Sequence, residues 1–389
     1  MSITAPAGFR AAGVAAGLKS SGKPDIALVV NDGPLHHAAA VFTSNRVAAA
    51  PVHWSRQVVS DGRVDAVVLN SGGANACTGS EGFQNTHTTA ETVAGLLGLS
   101  AGDVFVCSTG LIGEQLPMNL LLAGVEAAAL KLSTGGGLLA AEAIMTTDSV
   151  SKQAAYPASA DAPAEGYSIG GMAKGAGMLA PGLATMLVVL TTDAVLDPAQ
   201  LDAALRAATR VSFDRTDADG CMSTNDTVVL LSSGASGVEP DAGQFQSALT
   251  TVCLDLAAQL INDAEGASHT IAVKTVNAAS ERDAETVSRA VARSNLFKTA
   301  IFGNDPNWGR VLSAVGTTDA VFEPDRINVS MNGVRICHNG GIGESRDLVD
   351  LTGRDVLVEI DLAAGASCAT IWTNDLTHEY VHENSAYSS

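Results

Sequence analysis

The chain has 389 residues, and its 41 Asp and Glu residues outnumber its 22 Lys and Arg residues, which gives a net charge of −19. This length allows a sizeable core in two or three domains, and so acidic a surface argues against nucleic acid or anionic membranes as partners. No apolar run approaches the roughly 20 residues of a membrane span, and the start of the sequence lacks the pattern of a signal peptide. The six cysteines include no C-x-x-C pair, so we predict neither a metal nor a disulfide framework and expect a cytoplasmic protein.

Short runs rich in β-branched residues recur along the chain and predict strands. They are DIALVV, AAVFT, DAVVLN, DVFVCS, MLVVLTT, TVVLLSS, HTIAVKTV, RINVSM, VLVEIDL and ATIWTND. Amphipathic stretches between them predict helices: PMNLLLAGVEAAALKL, DPAQLDAALRAA with Asp197 as N-cap, FQSALTTVCLDLAAQLINDAEG closing on Gly266, and ETVSRAVARSNLF. Because strands and helices do not alternate steadily, we predict an α+β fold in which helices cover the sheets.

Four glycine-rich segments are predicted to follow strands, and each could be no more than a turn. They are NSGGANACTG, CSTGLIGEQLP, GGMAKGAGM and HNGGIGE. None is a phosphate-binding loop, since no G-x-x-x-x-G-K-[ST] occurs. GAGMLA imitates a dinucleotide-binding loop, but Pro181 and a predicted strand follow it, so no helix N-terminus is available for a pyrophosphate.

The segment HEYVH, from His378 to His382, matches the H-E-x-x-H signature of zinc proteases. That signature requires a helix, which brings the two histidines onto one face. Because a strand-like run precedes the segment, we predict two half-exposed strand histidines about 13 Å apart, too far to share a zinc ion. No metal site is therefore predicted.

The segment GMLAPGLATMLVVL places Thr185 directly after Ala184 and at the start of a predicted strand. In isolation this threonine would be an ordinary strand residue. A threonine also acts as a nucleophile when a base is near, and its own α-amine serves as that base once the preceding peptide bond is cut. The pKa of such an amine, near 8, leaves a useful fraction neutral at physiological pH. A glycine turn such as STG, residues 108–110, supplies donors for an oxyanion.

Several of these segments closely resemble the ornithine/glutamate N-acetyltransferase family of arginine biosynthesis, and the similarity runs along the whole chain. The segments are GFRAAGVAAGLK, NSGGANACTG, CSTGLIGEQLPM, AIMTTDS, AKGAGMLAPGLATML, STNDT, LINDAEGASH, KTAIFGNDPNWGR and DLTHEYVHENSAYSS. The resemblance implies a self-processing architecture with an N-terminal nucleophile, cut between Ala184 and Thr185 into an α chain, 1–184, and a β chain, 185–389. It also implies a dimer of αβ units.

The same resemblance implies that Thr185 takes acetyl from N-acetylornithine and passes it to glutamate in a ping-pong reaction. No cofactor is implied, although some members accept acetyl-CoA as donor. Thr109 and Gly110 resemble the family's oxyanion hole. Other positions resemble its substrate contacts, and these are Thr147, Lys174, Thr185, Glu265, Asn384 and the terminal residue Ser389. The family pattern has threonine at the last position, and Cys221 and Met222 depart from it as well.

Within the β chain, residues 286–376 are predicted to form a C-terminal subdomain, and 377–389 a tail that returns to the active site. Two other functions remain open from the residues. An amidase or aminopeptidase with the same type of nucleophile would pass the acyl group to water instead of glutamate. A non-catalytic amino-acid-binding protein would show no cleavage and no acyl intermediate.

Overall fold

The computed structural model describes residues 2–157, 166–178 and 186–386. The chain divides into two compact units, one formed by Met1–Asp214 and Cys221–Asp263, the other by Arg215–Gly220 and Ala264–Ser388. Both contain sheets with helices packed on them, which confirms the predicted α+β class. No helix among the described residues combines the length and apolarity needed to cross a bilayer. The predicted division at residue 185 concerns a peptide bond and stays a prediction.

Two sheets form the centre of the first unit. The four-stranded sheet has the order β1 (Phe9–Val14), β2 (Ile26–Asn31), β4 (Ala66–Gly73) and β5 (Val104–Leu111). The five-stranded sheet has the order β3 (His37–Phe42), β9 (Thr227–Ser232), β8 (Leu187–Thr192), β7 (Ile169–Lys174) and β6 (Lys152–Tyr156). The helices are α1 (Ala50–Val58), α2 (Gly79–Leu97), α3 (Met118–Leu130), α4 (Gly137–Ala143), α5 (Pro198–Val211) and α6 (Ala242–Asn262).

The first unit is layered as helix, sheet, sheet, helix. Alternate residues of β2 show this, since Val29 faces a core shared with the five-stranded sheet, whereas Leu28 faces a core shared with α2 and α3. Helices α5 and α6 pack on the five-stranded sheet. Strands buried on both faces need continuous apolar runs. That requirement explains why the runs of apolar, β-branched residues in the sequence predicted these strands correctly.

The starts of the helices follow local chemistry more closely than their ends. Asp197 caps α5, as the sequence predicted, and its side chain accepts a hydrogen bond from the amide of Gln200. The Gln200 side chain accepts a second bond from the Asp197 amide, which the sequence analysis had not predicted. Helix α6 ends at Asn262, although we predicted that it would close on Gly266. The apolar spacing continues past the end of this helix, so periodicity alone misplaced it.

Strand β7 was not predicted, because its sequence IGGMAK contains two adjacent glycines. Packing excludes a side chain at the first and disfavours one at the second. A Cβ at Gly170 would lie 2.4 Å from the carbonyl oxygen of Ser2, and one at Gly171 would lie 2.9 Å from side-chain atoms of Leu190 and Leu256. The segment GGMAKGAGM therefore begins inside a strand, where we had expected a turn after one.

The second unit is one six-stranded sheet with helices on one face. Its order is β13 (Gly341–Ile342), β12 (Val334–His338), β11 (Asn328–Met331), β14 (Asp355–Asp361), β10 (Thr270–Ala278) and β15 (Ser367–Asn374). Its helices are α7 (Glu281–Ala292), α8 (Asn295–Phe302), α9 (Trp308–Val315) and α10 (His378–Ala386). The segment predicted as one helix, ETVSRAVARSNLF, is divided between α7 and α8, because Ser294 accepts a hydrogen bond from the amide of Phe297 and starts a new helix.

Candidate active site

Two parallel strands of the first unit bring two glycine-rich segments side by side. Strands β4 and β5 pair with Ser71 opposite Thr109 and Gly72 opposite Gly110. Gly110 has a φ of +128°, and a Cβ there would lie 2.5 Å from the main-chain nitrogen of Gly73. Only glycine fits this position, because any side chain would be both strained and blocked by main chain. The path of the main chain at Thr109 and Gly110, just before the end of β5, depends on that close approach.

Buried amide side chains fix this end of β5. Asn225 Nδ2 donates to the carbonyl oxygen of Ser108 at 2.8 Å, across 117 residues of sequence. The Ser108 hydroxyl donates to Asn70 Oδ1 at 2.6 Å. All three side chains are buried, so each bond is protected from competing water. The main chain beside Thr109 is thereby held rigidly, as a site that must stabilise a developing charge requires.

Lys174, the last residue of β7, lies at the end of β5. Its side chain is 1% exposed, and its Nζ donates to Thr109 Oγ1 at 3.2 Å. A buried ammonium is costly unless it is hydrogen-bonded and faces negative charge. The structure thus brings together two predicted site residues, Thr109 and Lys174, from the two different sheets of the first unit.

Asp148 connects the segment that contains Thr147 to the residue after Lys174. Its Oδ1 accepts from the amide of Gly175 at 2.6 Å and from Lys152 Nζ at 2.6 Å. Its Oδ2 accepts from the amide of Thr146 at 2.9 Å. One buried carboxylate therefore sets the position of Thr147, which is half-buried, relative to the end of β7.

The charges around Asp148 keep it ionised. Burial by itself would raise the pKa of its carboxyl group, but the ammonium groups of Lys174 and Lys152 outweigh burial and hold the pKa below its ordinary value. Lys152 is fully buried and also donates to Asp263 Oδ2 at 2.6 Å. Lys152 and Lys174 thus form a network with the carboxylates of Asp148 and Asp263 in which the opposite charges compensate each other.

The second unit brings Glu265 and Asn384 together. Asn384 Nδ2, on α10, donates to Glu265 Oε2 at 2.9 Å. The contact depends on Gly266, where a Cβ would lie 2.2 Å from the main-chain nitrogen of Tyr380. Thr377 Oγ1 joins the same two segments by donating to the Gly266 carbonyl oxygen at 2.6 Å. These two predicted substrate contacts, 119 residues apart in sequence, form one polar cluster.

The ArgJ family model matches residues 10–389. The chain belongs to the ArgJ family. Relatives named arginine biosynthesis bifunctional protein ArgJ, from Streptomyces coelicolor and Thermobifida fusca, are 66% and 65% identical over 389 residues, with 100% of both chains covered in each case. The protein is accordingly an acyltransferase of arginine biosynthesis, as the resemblance implied.

Two solved ArgJ-family structures are also similar to this chain. Ornithine acetyltransferase of Mycobacterium tuberculosis, solved with ornithine, is 55% identical, covers 48% of this chain and 96% of its own, and has a TM-score of 0.43. The ArgJ protein of Bacillus halodurans is 34% identical, covers 51% of this chain and 97% of its own, and has a TM-score of 0.49.

The predicted site residues of this ArgJ-family chain fall into three groups. Thr109, Gly110 and Lys174 lie in the first unit at the end of β5, and Thr147 precedes Asp148, which accepts from the amide of Gly175. Glu265 and Asn384 form the cluster in the second unit. Ala184, Thr185 and Ser389 lie outside the described residues. A cation, a hydroxyl and a main-chain amide at one strand end are suited chemically to binding a carboxylate and stabilising an oxyanion.

The predicted strand at HEYVH was wrong. Residues His378–Ala386 form α10. Thr377 precedes this helix, and its Oγ1 accepts a hydrogen bond from the amide of Tyr380 at 3.0 Å. His378 and His382 are exposed on this helix, and the His378 ring meets the Phe302 ring edge-on. Searched over the described residues, no group of three or more His, Cys, Asp or Glu side chains is arranged to hold a metal ion.

Sequence reasoning missed Asp148 and Asn225 as residues that build the site. Both lie in segments that we singled out, AIMTTDS and STNDT. Their importance comes from partners far along the chain, such as Ser108 for Asn225. The only available signal was the presence of a buried-type amide and carboxylate next to predicted strands, which is too common to assign a role.

Proposed function

We propose that this chain cuts itself between Ala184 and Thr185 and then transfers acetyl from N-acetyl-L-ornithine to L-glutamate. The observation that carries the proposal is the contact of the buried Lys174 ammonium with Thr109 Oγ1, next to Gly110. A buried cation beside a hydroxyl and a main-chain amide has the chemistry to bind a carboxylate and stabilise an oxyanion, which supports the proposal. Membership of the ArgJ family, whose model matches residues 10–389, supports the same reaction.

The self-cleavage needs only groups of the chain and water. Thr185 Oγ attacks the carbonyl carbon of Ala184 and its proton passes to the departing amide nitrogen, which converts the peptide bond into an ester. Water then hydrolyses the ester, leaving a carboxylate on Ala184 and a free α-amine on Thr185. That amine, with a reference pKa near 8, is the base that later accepts the proton of the hydroxyl.

The transfer follows in two half-reactions. Thr185 Oγ attacks the acetyl carbon of N-acetylornithine, Thr109 and Gly110 stabilise the oxyanion, and ornithine leaves after its amine takes up the proton. The glutamate amine then attacks the acetyl-threonine ester and releases the hydroxyl. Lys174 holds the substrate carboxylate, with Thr147 beside it.

The remaining residues recognise the rest of the substrate. Glu265, held by Asn384, offers a carboxylate to the ornithine side-chain ammonium. Ser389 supplies a terminal contact. We further propose that the enzyme needs no cofactor, that acetyl-CoA can serve as an additional donor, and that the cut chains remain together as a cytoplasmic dimer of αβ units.

The test begins with the intact mass of the purified protein under denaturing conditions and the N-terminal sequence of each fragment. We expect two fragments, one of which begins Thr185-Met186-Leu187, and acetyl transfer from N-acetylornithine to glutamate. A single full-length mass in active protein would exclude the free-amine mechanism. Release of acetate without N-acetylglutamate would favour the amidase instead.

The substitution Lys174→Met tests the carboxylate site in the same assay. Removing the buried cation should lower kcat/KM for N-acetylornithine by about 100-fold or more, because the carboxylate loses a charge-assisted hydrogen bond in a desolvated site. The exposed Lys23→Met is the matched control and should leave kcat/KM unchanged. Equal activity of the two variants would remove Lys174 from the proposed site.

A further inference from the structure

Asp226 lies directly before β9 and contacts the start of β8. Its side chain is 0% exposed, and its Oδ1 accepts a hydrogen bond from the main-chain nitrogen of Met186 at 3.0 Å. That nitrogen is bonded covalently to the carbonyl carbon of Thr185. Asp226 therefore holds the peptide unit that joins the proposed nucleophile to β8.

The second carboxyl oxygen of Asp226 has no assigned task in the described part of the chain. Asp226 Oδ2 is buried and has no hydrogen-bond partner among those residues. In folded proteins nine-tenths or more of buried polar groups are hydrogen-bonded, and an unsatisfied oxygen costs about 1–3 kcal/mol. The residue immediately before Met186 in the sequence is the proposed nucleophile, Thr185.

The surroundings of Asp226 disfavour its charged form. Burial raises the pKa of Asp226 well above its ordinary value, against the opposing effects of the Met186 amide, the Ser223 hydroxyl and the Lys174 ammonium. Because burial disfavours the charged carboxylate, a neutral carboxamide of nearly the same shape suits this position and keeps an oxygen that accepts from the Met186 amide.

We propose that Asp226 is a positioning residue for the nucleophile and acts through Oδ1, which fixes the Met186 amide that is bonded to the carbonyl carbon of Thr185. The inference rests on the proposed function, since it assigns Asp226 to the same self-cleavage and acetyl transfer. It adds a residue that touches neither substrate nor leaving group and acts through the placement of Thr185. Misplacing a reacting group by about 1 Å costs on the order of 100-fold in rate.

The experiment compares Asp226→Ala with Asp226→Asn. For each variant, the rate of self-cleavage is followed by intact mass, and kcat and KM are measured for N-acetylornithine. We expect Asp226→Ala to slow cleavage and lower kcat by about 100-fold, with KM within about threefold of the wild type. Asp226→Asn should keep both rates within about fivefold and leave the pH profile unchanged, because the carboxamide oxygen still accepts from the Met186 amide.

Asp193→Asn is the matched control for loss of a buried carboxyl group. Asp193 follows β8 at the end opposite Met186, and accepts hydrogen bonds from the amides of Ala7 and Ser168. This variant should lower the urea midpoint without changing kcat. A uniform loss of stability is thereby separated from a specific effect on the nucleophile.

Two outcomes would overturn the inference alone. Wild-type protein that cuts itself and transfers acetyl, together with an equally fast Asp226→Ala variant, would show that Thr185 needs no help from Asp226. An Asp226→Asn variant as slow as Asp226→Ala would show that the carboxyl group transfers a proton, which a positioning residue does not do. If the wild type is neither cut nor active, the proposed function fails first and the inference with it.

Discussion

At the scale of single residues, the first unit tolerates buried charge by pairing each cation closely with an acceptor. Lys152 lies between Asp148 and Asp263, and Lys174 contacts Thr109. Desolvation of each ion costs several kcal/mol, which only close opposite charges and complete hydrogen bonding offset. Because Asp148 also holds the amides of Thr146 and Gly175, the same charges that stabilise the unit shape its site.

The pH dependence of stability follows from the lowered pKa of Asp148. A carboxyl group whose pKa is lower in the folded state stabilises above its unfolded pKa, and this stabilisation is lost as the pH falls through the folded value. We expect Asp148→Asn to reduce the free energy of unfolding by about 3 kcal/mol at pH 7, since Lys152 loses one of two buried partners. The difference from wild type should shrink steadily below about pH 4.

Urea unfolding at a series of pH values measures this difference. Asp202→Asn is the control, because Asp202 forms an exposed pair with Arg206 and should contribute about 0.5 kcal/mol or less. A difference between wild type and Asp148→Asn that stays constant down to pH 3 would mean that the Asp148 carboxylate is not the stabilising form.

At the scale of elements, glycines allow main chain to approach main chain where strands end or sheets pack closely. Gly110 lets the end of β5 contact the end of β4, and Gly266 lets its loop contact the start of α10. Each contact assembles two segments that carry predicted site residues. These glycines are thus part of the site, although they contribute no side chain.

We expect opposite effects when two glycines are replaced by alanine. Gly110→Ala should destabilise the protein by about 2–4 kcal/mol, because the left-handed φ is strained and the new Cβ meets the main chain of Gly73. Gly95→Ala, on an exposed face within α2 with no atom within 4 Å of the new Cβ, should stabilise it by about 0.5–1 kcal/mol. Thermal and urea unfolding measure both, and a neutral Gly110→Ala would refute the close approach.

The elements show where local sequence predicts structure and where it does not. All ten β-branched runs are strands, because such residues pack well on a sheet whether both faces are buried, as in the first unit, or only one, as in the second. The end of α6 and the break between α7 and α8 were mispredicted, since apolar spacing persists across residues that no longer belong to the same helix. Strand β7 was missed because packing demanded glycine where propensity disfavours it.

At the scale of the whole molecule, both units bury cysteines in their cores while other thiols remain at the surface. Cys77, Cys221 and Cys368 are exposed. Cys107 and Cys253 lie in the first unit and Cys337 in the second, and burial raises the pKa of each of these three thiols. Because the thiolate is the reactive form, the three buried cysteines are protected both by restricted access of reagents and by the raised pKa of their thiols.

A thiol reagent such as Ellman's reagent should therefore count three reactive groups in the native protein and six after denaturation. The Cys77→Ser variant should have one fewer thiol that reacts rapidly, whereas the Cys253→Ser variant should lose only a thiol that reacts slowly. Rapid reaction of all six groups in protein that remains folded by circular dichroism would contradict the burial of the three core cysteines.

The sequence by itself determined the fold class, the strands with continuous apolar runs, the start of α5 at Asp197 and the family. These features depend on local periodicity, on capping, or on motifs spread along the chain. Only the tertiary structure decided that Lys174 contacts Thr109, that Asn384 contacts Glu265, and that HEYVH is helical. The physical reason is that these features depend on contacts between residues, such as Thr109 and Lys174, 65 positions apart, which no local pattern encodes.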